Sequence, residues 1–150
     1  MKDDEVVRLD GWLEQFRREW MAGVRQAARD ASGGRAGRGA FRVLEALVGG
    51  GERSPSELAE DVGVRTSTMT THLDRLEEWG WAERRADPGH GARVRVMATE
   101  QGRDAYQRFV AGRHAVLRNL LDPMPPDGRQ AWTDALRAWA DCHRTARVPS

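Results

Sequence analysis

The chain has 150 residues, 39% hydrophobic and 31% charged, with 24 Lys and Arg against 23 Asp and Glu for a formal net charge of +1. This length supports one compact unit with a real core, and with no apolar run of membrane-spanning length and no secretory signal, a soluble cytoplasmic protein with no membrane partner is expected. The lone Cys142 excludes an internal disulfide framework, and the near-neutral total leaves any nucleic-acid partner to be decided by local charge.

From Val6, the residues Leu9, Leu13, Phe16 and Trp20 recur at spacings of three and four, which predicts a long amphipathic first helix. The run Ser32-Gly33-Gly34-Arg35-Ala36-Gly37-Arg38-Gly39 then reads as a flexible joint. A short helix follows at Ser54, whose hydroxyl caps the backbone. Pro55 stands at the first helical position, where its missing N–H costs nothing, and Glu57 completes a capping box. Leu58, Ala59 and Val62 form its apolar face, and Gly63 supplies the left-handed residue that ends it.

The next helix starts near Thr66, with Thr66 or Ser67 as its cap. Met69, Leu73 and Leu76 face inward, while Ser67, Thr68, Thr70, Thr71, Asp74 and Arg75 occupy the remaining arc. Such a helix packs on one side and reads on the other. Ser and Thr hydroxyls bond phosphates or base edges, Thr methyls pack on thymine, and Arg forks onto guanine. After Glu77-Glu78-Trp79-Gly80, Trp81 to Arg85 and Arg93 to Ala98 alternate as short strands around Asp87-Pro88-Gly89-His90-Gly91, a hairpin with a mobile basic tip. Arg84, Arg85, Arg93 and Arg95 face only Asp87 in charge, so the hairpin carries a local positive field.

Beyond Thr99, Tyr106, Phe109, Val110, Leu117, Leu120 and Leu121 predict a second long helix that stops before Pro123-Met124-Pro125-Pro126, and a last helix carries Trp132, Leu136 and Trp139. The fold class is mainly α with a small β-hairpin wing: a winged helix-turn-helix with N- and C-terminal dimerisation helices. Residues 1–34 are assigned to the N-terminal helix and linker, 35–98 to the winged DNA-binding region and 99–150 to the C-terminal dimerisation helices. The terminal helices have more apolar surface than so small a unit can cover, so they interlock in a two-fold dimer or else fold back on the winged part.

Other chemistry finds little support. His72, His90, His114 and His143 lack metal-ligand spacing, no cofactor or metal is expected, and no nucleophile-base arrangement or phosphate-binding glycine loop suggests an enzyme. His72 reads as a helix-surface residue or a phosphate contact. Cys142 reads as a buried, inert thiol rather than a peroxide sensor.

The helix opening Phe41-Arg42-Val43-Leu44, the SELAEDVGV stretch, TMTTHLDRLEEWGW, the wing beginning Arg84-Arg85-Ala86-Asp87-Pro88 and the ATEQG that opens the next helix together resemble the MarR (multiple antibiotic resistance regulator) family of bacterial transcription factors. With flanking helices on both sides, the resemblance covers nearly the whole chain. Two departures stand out. The acidic-x-Arg usual at the wing tip is replaced by His90-Gly91-Ala92, and the Arg that often follows the recognition-helix Thr is Thr71. The resemblance implies a homodimer on double-stranded DNA, repressing at a pseudo-palindromic operator and released by an effector. The candidate DNA contacts are Ser54, Arg65, Thr66, Ser67, Thr68, Thr70, Thr71, His72, Arg75, Arg84, Arg85, His90, Arg93 and Arg95.

It also implies a pocket for a small aromatic or phenolic effector, to which Trp20, Phe41 and Tyr106 are assigned, although aromatic stripes at helical spacing equally build cores. The alternative from another class is a protein-interaction module that keeps the fold without specific DNA binding.

Overall fold

The apolar stripe that begins at Val6 lies on a 30-residue helix, α1 (Asp3–Ser32). Its buried residues Val24, Ala27, Ala28, Ala31 and Ser32 all belong to the C-terminal third, whereas Val7, Trp12 and Leu13 in the first half are exposed. The structure, a computed structural model, describes residues 2–87, 89 and 93–145. After α1 come α2 (Arg38–Gly50), α3 (Pro55–Val62), α4 (Thr66–Glu78), the strands β1 (Ala82–Ala86) and β2 (Val94–Ala98), α5 (Glu100–Leu121) and α6 (Pro126–Thr145).

The expected flexible joint between α1 and α2 is instead a tied turn. Ser32 is 2% exposed, and its hydroxyl donates to the Ala28 carbonyl at 2.8 Å while accepting the Ala36 N–H at 3.0 Å. A buried hydroxyl is costly without partners, so these bonds hold Ala36 in the core and fix where α2 begins.

The start and stop signals of α3 act as the sequence indicates. Ser54 Oγ accepts the Glu57 N–H at 3.2 Å, the Glu57 carboxylate accepts the Ser54 N–H at 2.7 Å, and Gly63 leaves the helix at φ 71°. The capping bond contributes on the order of 1 kcal/mol. The expected side-chain cap of α4 is absent. Thr66 opens the helix itself, and the extended residue before it is Arg65, which makes no capping bond.

Strand β1 pairs antiparallel with β2, Ala82 opposite Ala98 and Arg85 opposite Arg95. A third edge, not legible in the sequence, comes from Arg53. Its N–H donates to the Val96 carbonyl at 3.0 Å, and its carbonyl accepts the Val96 N–H at 2.8 Å.

The core joins α1, the helix-turn-helix, the strands and α5. Leu44, Leu47, Leu58, Met69, Leu73 and Leu76 are fully buried, each stabilising the fold by roughly 1.5–3 kcal/mol through burial. Phe41 stacks on Phe109 at 4.4 Å between centroids and tilts against Trp81 at 5.6 Å. Thr99 holds the start of α5 by accepting the Gly102 N–H at 3.1 Å and donating to the Gly80 carbonyl at 2.6 Å. Gly102 is required there, because a Cβ would stand 2.1 Å from the Trp81 carbonyl oxygen.

The chain divides into two compact units, Met1–Val116 and Leu117–Ser150. Within the second, Leu136 and Trp139 of α6 are exposed. Cys142 is also exposed, which corrects the expectation of a buried thiol: no residue of α6 among those described is buried, so the helix has no interior face to hold it. Among the described residues, no helix is long and apolar enough to cross a membrane, and no three His, Cys, Asp or Glu side chains are grouped to hold a metal.

Candidate nucleic-acid interface

Gly63, Val64 and Arg65 form the turn between α3 and α4, and the burial of Met69, Leu73 and Leu76 turns the opposite face of α4 outward. Arg65, Thr66, Ser67, Thr68, Thr70, Thr71 and Arg75 are all exposed. The Thr70 hydroxyl donates to the Thr66 carbonyl at 3.0 Å, and that of Thr71 to the Ser67 carbonyl at 3.2 Å. The two hydroxyl protons are therefore used within the helix, leaving oxygen lone pairs and methyl groups to meet a ligand. His72 is half-buried and turned toward α2, its ring lying where a Cβ on Gly39 would come within 3.0 Å. Its pKa is lowered, first by burial and then by the cationic Arg75 and Arg42.

On the hairpin, the arginines are not equivalent. Arg84 pairs with Asp74 at 2.8 Å and with Glu77, and its N–H also donates to Glu77 at 3.1 Å. Arg95 pairs with Glu57 at 3.1 Å and Asp87 at 3.5 Å, and Arg85 with Glu83 at 2.6 Å. Arg93 makes no ion pair among the described residues. It shares with Ser54, Glu57 and Arg95 a cleft of about 410 Å³ between α3 and β2. His90 and the rest of the expected tip sequence His90-Gly91-Ala92 lie outside the described residues.

A second cavity, of about 220 Å³, lies among Trp20 and Val24 of α1, Arg38, Arg42 and Glu45 of α2, and Phe109 and Arg113 of α5. Of the three aromatic residues expected around an effector, Trp20 stands in this wall. Phe41 does not, having no exposed surface. Tyr106 does not line it either, although its hydroxyl donates to the lining residue Glu45 at 3.0 Å. Burial, and then this bond, raises its pKa. The arginines of the cavity escaped sequence reading, although Arg38 and Arg42 at a spacing of four, with Glu45 three further on, mark one polar edge of α2.

Two helices joined by a three-residue turn, the second turned outward and followed by a two-stranded wing, define a winged helix-turn-helix protein. Residues 37–93 match the MarR family profile. Over 70 residues the chain is 33% identical to the HTH-type transcriptional regulator PecS of Dickeya dadantii, a match covering 47% of this chain and 42% of PecS. It is 30% identical over 96 residues to the uncharacterised HTH-type transcriptional regulator YfiV of Bacillus subtilis, covering 64% of this chain and 60% of YfiV. These matches span less than two thirds of either relative. The crystal structure of RV1404 from Mycobacterium tuberculosis shares the fold, with a TM-score of 0.78 at 23% identity over 94% of both chains. Over residues 37–93, the helix-turn-helix and the first strand of the wing, the chain is therefore similar to the MarR family.

Proposed function

We propose that the protein is a transcriptional regulator that binds a pseudo-palindromic stretch of double-stranded DNA as a homodimer, represses transcription there, and is released by a small aromatic effector. The observation that carries this reading is α4: three fully buried apolar residues anchor it, and its opposite face offers short polar side chains to a major groove, with Arg65 exposed at its start. The exposed apolar residues of α1 and, separately, of α6 support a two-fold partner, since large apolar side chains left in water on a long helix mark an interface.

The cavity supports an acidic aromatic effector. Arg38, Arg42 and Arg113 attract a carboxylate, Trp20 offers a ring to an aromatic group, and Glu45 already pairs with Arg113 at 3.7 Å. Release requires that the effector bind the DNA-free arrangement more tightly than the DNA-bound one. Arg42 supplies a route, because its guanidinium borders the cavity and donates to the Val62 carbonyl at the end of α3. Nothing in this scheme calls on a catalytic group, and the protein is read as a regulator rather than an enzyme.

A protein-interaction module is the second reading, favoured by the ion pairs that engage Arg84 and Arg95 within the chain. Recovery and sequencing of fragments bound from sheared genomic DNA separates the two. The regulator enriches an inverted repeat with half-sites ~10 base pairs apart, whereas an unenriched pool overturns the proposal in favour of the module.

A further inference from the structure

Charge is distributed unequally on the two flanks of α4. On the wing side, Asp74 and Glu77 meet Arg84, Glu83 meets Arg85, and Glu57 and Asp87 meet Arg95, so of the four wing arginines only Arg93 is without an ion pair among the described residues. On the other side a cleft of about 140 Å³ opens between the start of α2 and α4, lined by Arg35, Gly37, Gly39, Ala40, His72, Arg75 and Trp79. No carboxylate is among these walls, and neither Arg35 nor Arg75 makes an ion pair among the described residues.

Arg35 is held in place without being neutralised. Its Nε donates to the Ser32 carbonyl at 3.2 Å, and its guanidinium lies 5.9 Å from the centroid of the buried Trp81 ring. Its two terminal nitrogens have no hydrogen bond to a described residue, leaving a fixed fork of donors, the geometry that suits a phosphate. Arg75 stands across the cleft on the reading helix, with the ring of His72 between α4 and Gly39. The small walls formed by Gly37, Gly39 and Ala40 leave room for one phosphodiester group.

We propose that the cleft between Arg35 and Arg75 is a phosphate clamp for the DNA backbone, gripping one phosphate per protomer on the α2 side of α4, outside the bases the helix reads. This inference rests on the DNA-binding reading and adds a residue, Arg35, that neither the helix-turn-helix nor the wing contains. It adds sequence-independent binding on the flank of α4 opposite the wing, whose Arg84 and Arg95 are internally paired.

The test is the salt dependence of binding to a random-sequence 30-base-pair duplex, read by fluorescence anisotropy for the parent, for Arg35→Ala with Arg75→Ala, and for Arg108→Ala as an exposed control. The double variant is expected to lower the log–log slope by ~0.9 per protomer. It should leave the base preference in a selected pool unchanged, and Arg108→Ala should match the parent. Because Arg35 lies over Trp81, melting is measured alongside. If Arg35→Ala melts early, Arg75→Glu replaces it, placing a carboxylate opposite Arg35 and removing the same share of slope. A double variant with the parent's slope overturns the clamp while DNA binding stands. So does an Arg75→Ala that changes base preference at constant slope, since Arg75 would then read a base. A parent that binds no duplex overturns both this site and the proposed function.

Discussion

Arg42 connects the wall of the α1–α2–α5 cavity to the helix-turn-helix: its guanidinium donates to the Val62 carbonyl at 2.5 Å, twenty residues away in sequence. A charge-assisted bond of this kind, partly shielded from water, contributes ~1.5 kcal/mol. An anionic effector, as proposed for the cavity, would compete for the same guanidinium. Arg42→Met is therefore expected to lower the melting temperature by a few degrees and to abolish the quenching of tryptophan emission by a panel of aromatic and phenolic acids. Trp20→Phe identifies which tryptophan reports. Quenching that persists in Arg42→Met removes Arg42 from the effector site.

The two faces of α4 should separate binding from folding. Thr70→Ala with Thr71→Ala removes hydroxyls already bonded to their own helix, so melting stays near the parent while DNA affinity falls by ~1–3 kcal/mol. Leu76→Ala opens a cavity beneath the same helix and costs ~2–5 kcal/mol of stability. Calorimetry and gel-shift titration of both variants check the division, which fails if the threonine pair binds as the parent does.

Glu57 restrains Arg95 while it caps α3. Its carboxyl pKa is lowered chiefly by the hydrogen bond from the Ser54 backbone and then by the Ser54 side chain, Arg95 and Arg53, with burial opposing them, so it is charged at neutral pH. Glu57→Gln keeps an acceptor for the cap and withdraws the charge. DNA affinity at low salt should rise, with a slope steeper by ~0.9 per protomer if Arg95 then reaches a phosphate. An unchanged slope would leave Arg95 as part of the scaffold.

His72 makes stability depend on pH in a defined direction. Burial, Arg75 and Arg42 disfavour its protonated form in the folded chain, so below ~6.5 the unfolded chain binds more protons. The stability present above that pH is lost as pH falls toward the lowered folded value. His72→Gln should flatten the loss between about pH 7 and pH 5, measured as the difference in urea midpoint between the variant and the parent. Parallel pH profiles would contradict this assignment.

What the sequence disclosed was local. The Ser54–Glu57 capping box, the exit at Gly63 and the inward spacing of Met69, Leu73 and Leu76 depend on neighbours within one or two turns, and all are found in the structure. What it concealed was contact between distant segments. The basic hairpin was visible, but the partners of Arg84 and Arg95 on α4 and α3 were not, because side-chain pairing across elements leaves no periodic trace. The glycine-rich run after α1 looked pliant because its order comes from one buried hydroxyl, that of Ser32. Phe41 carried the expected chemistry for a pocket, yet it stacks on Phe109 in the interior, and the cavity opens instead beside arginines of the same helix.

The pair of backbone bonds between Arg53 and Val96 has a mechanical consequence. They clip the middle of β2 to the segment just before α3, so the wing is anchored to the helix-turn-helix by main chain as well as by side chains. A displacement of the Arg53 segment therefore carries the middle of β2 with it.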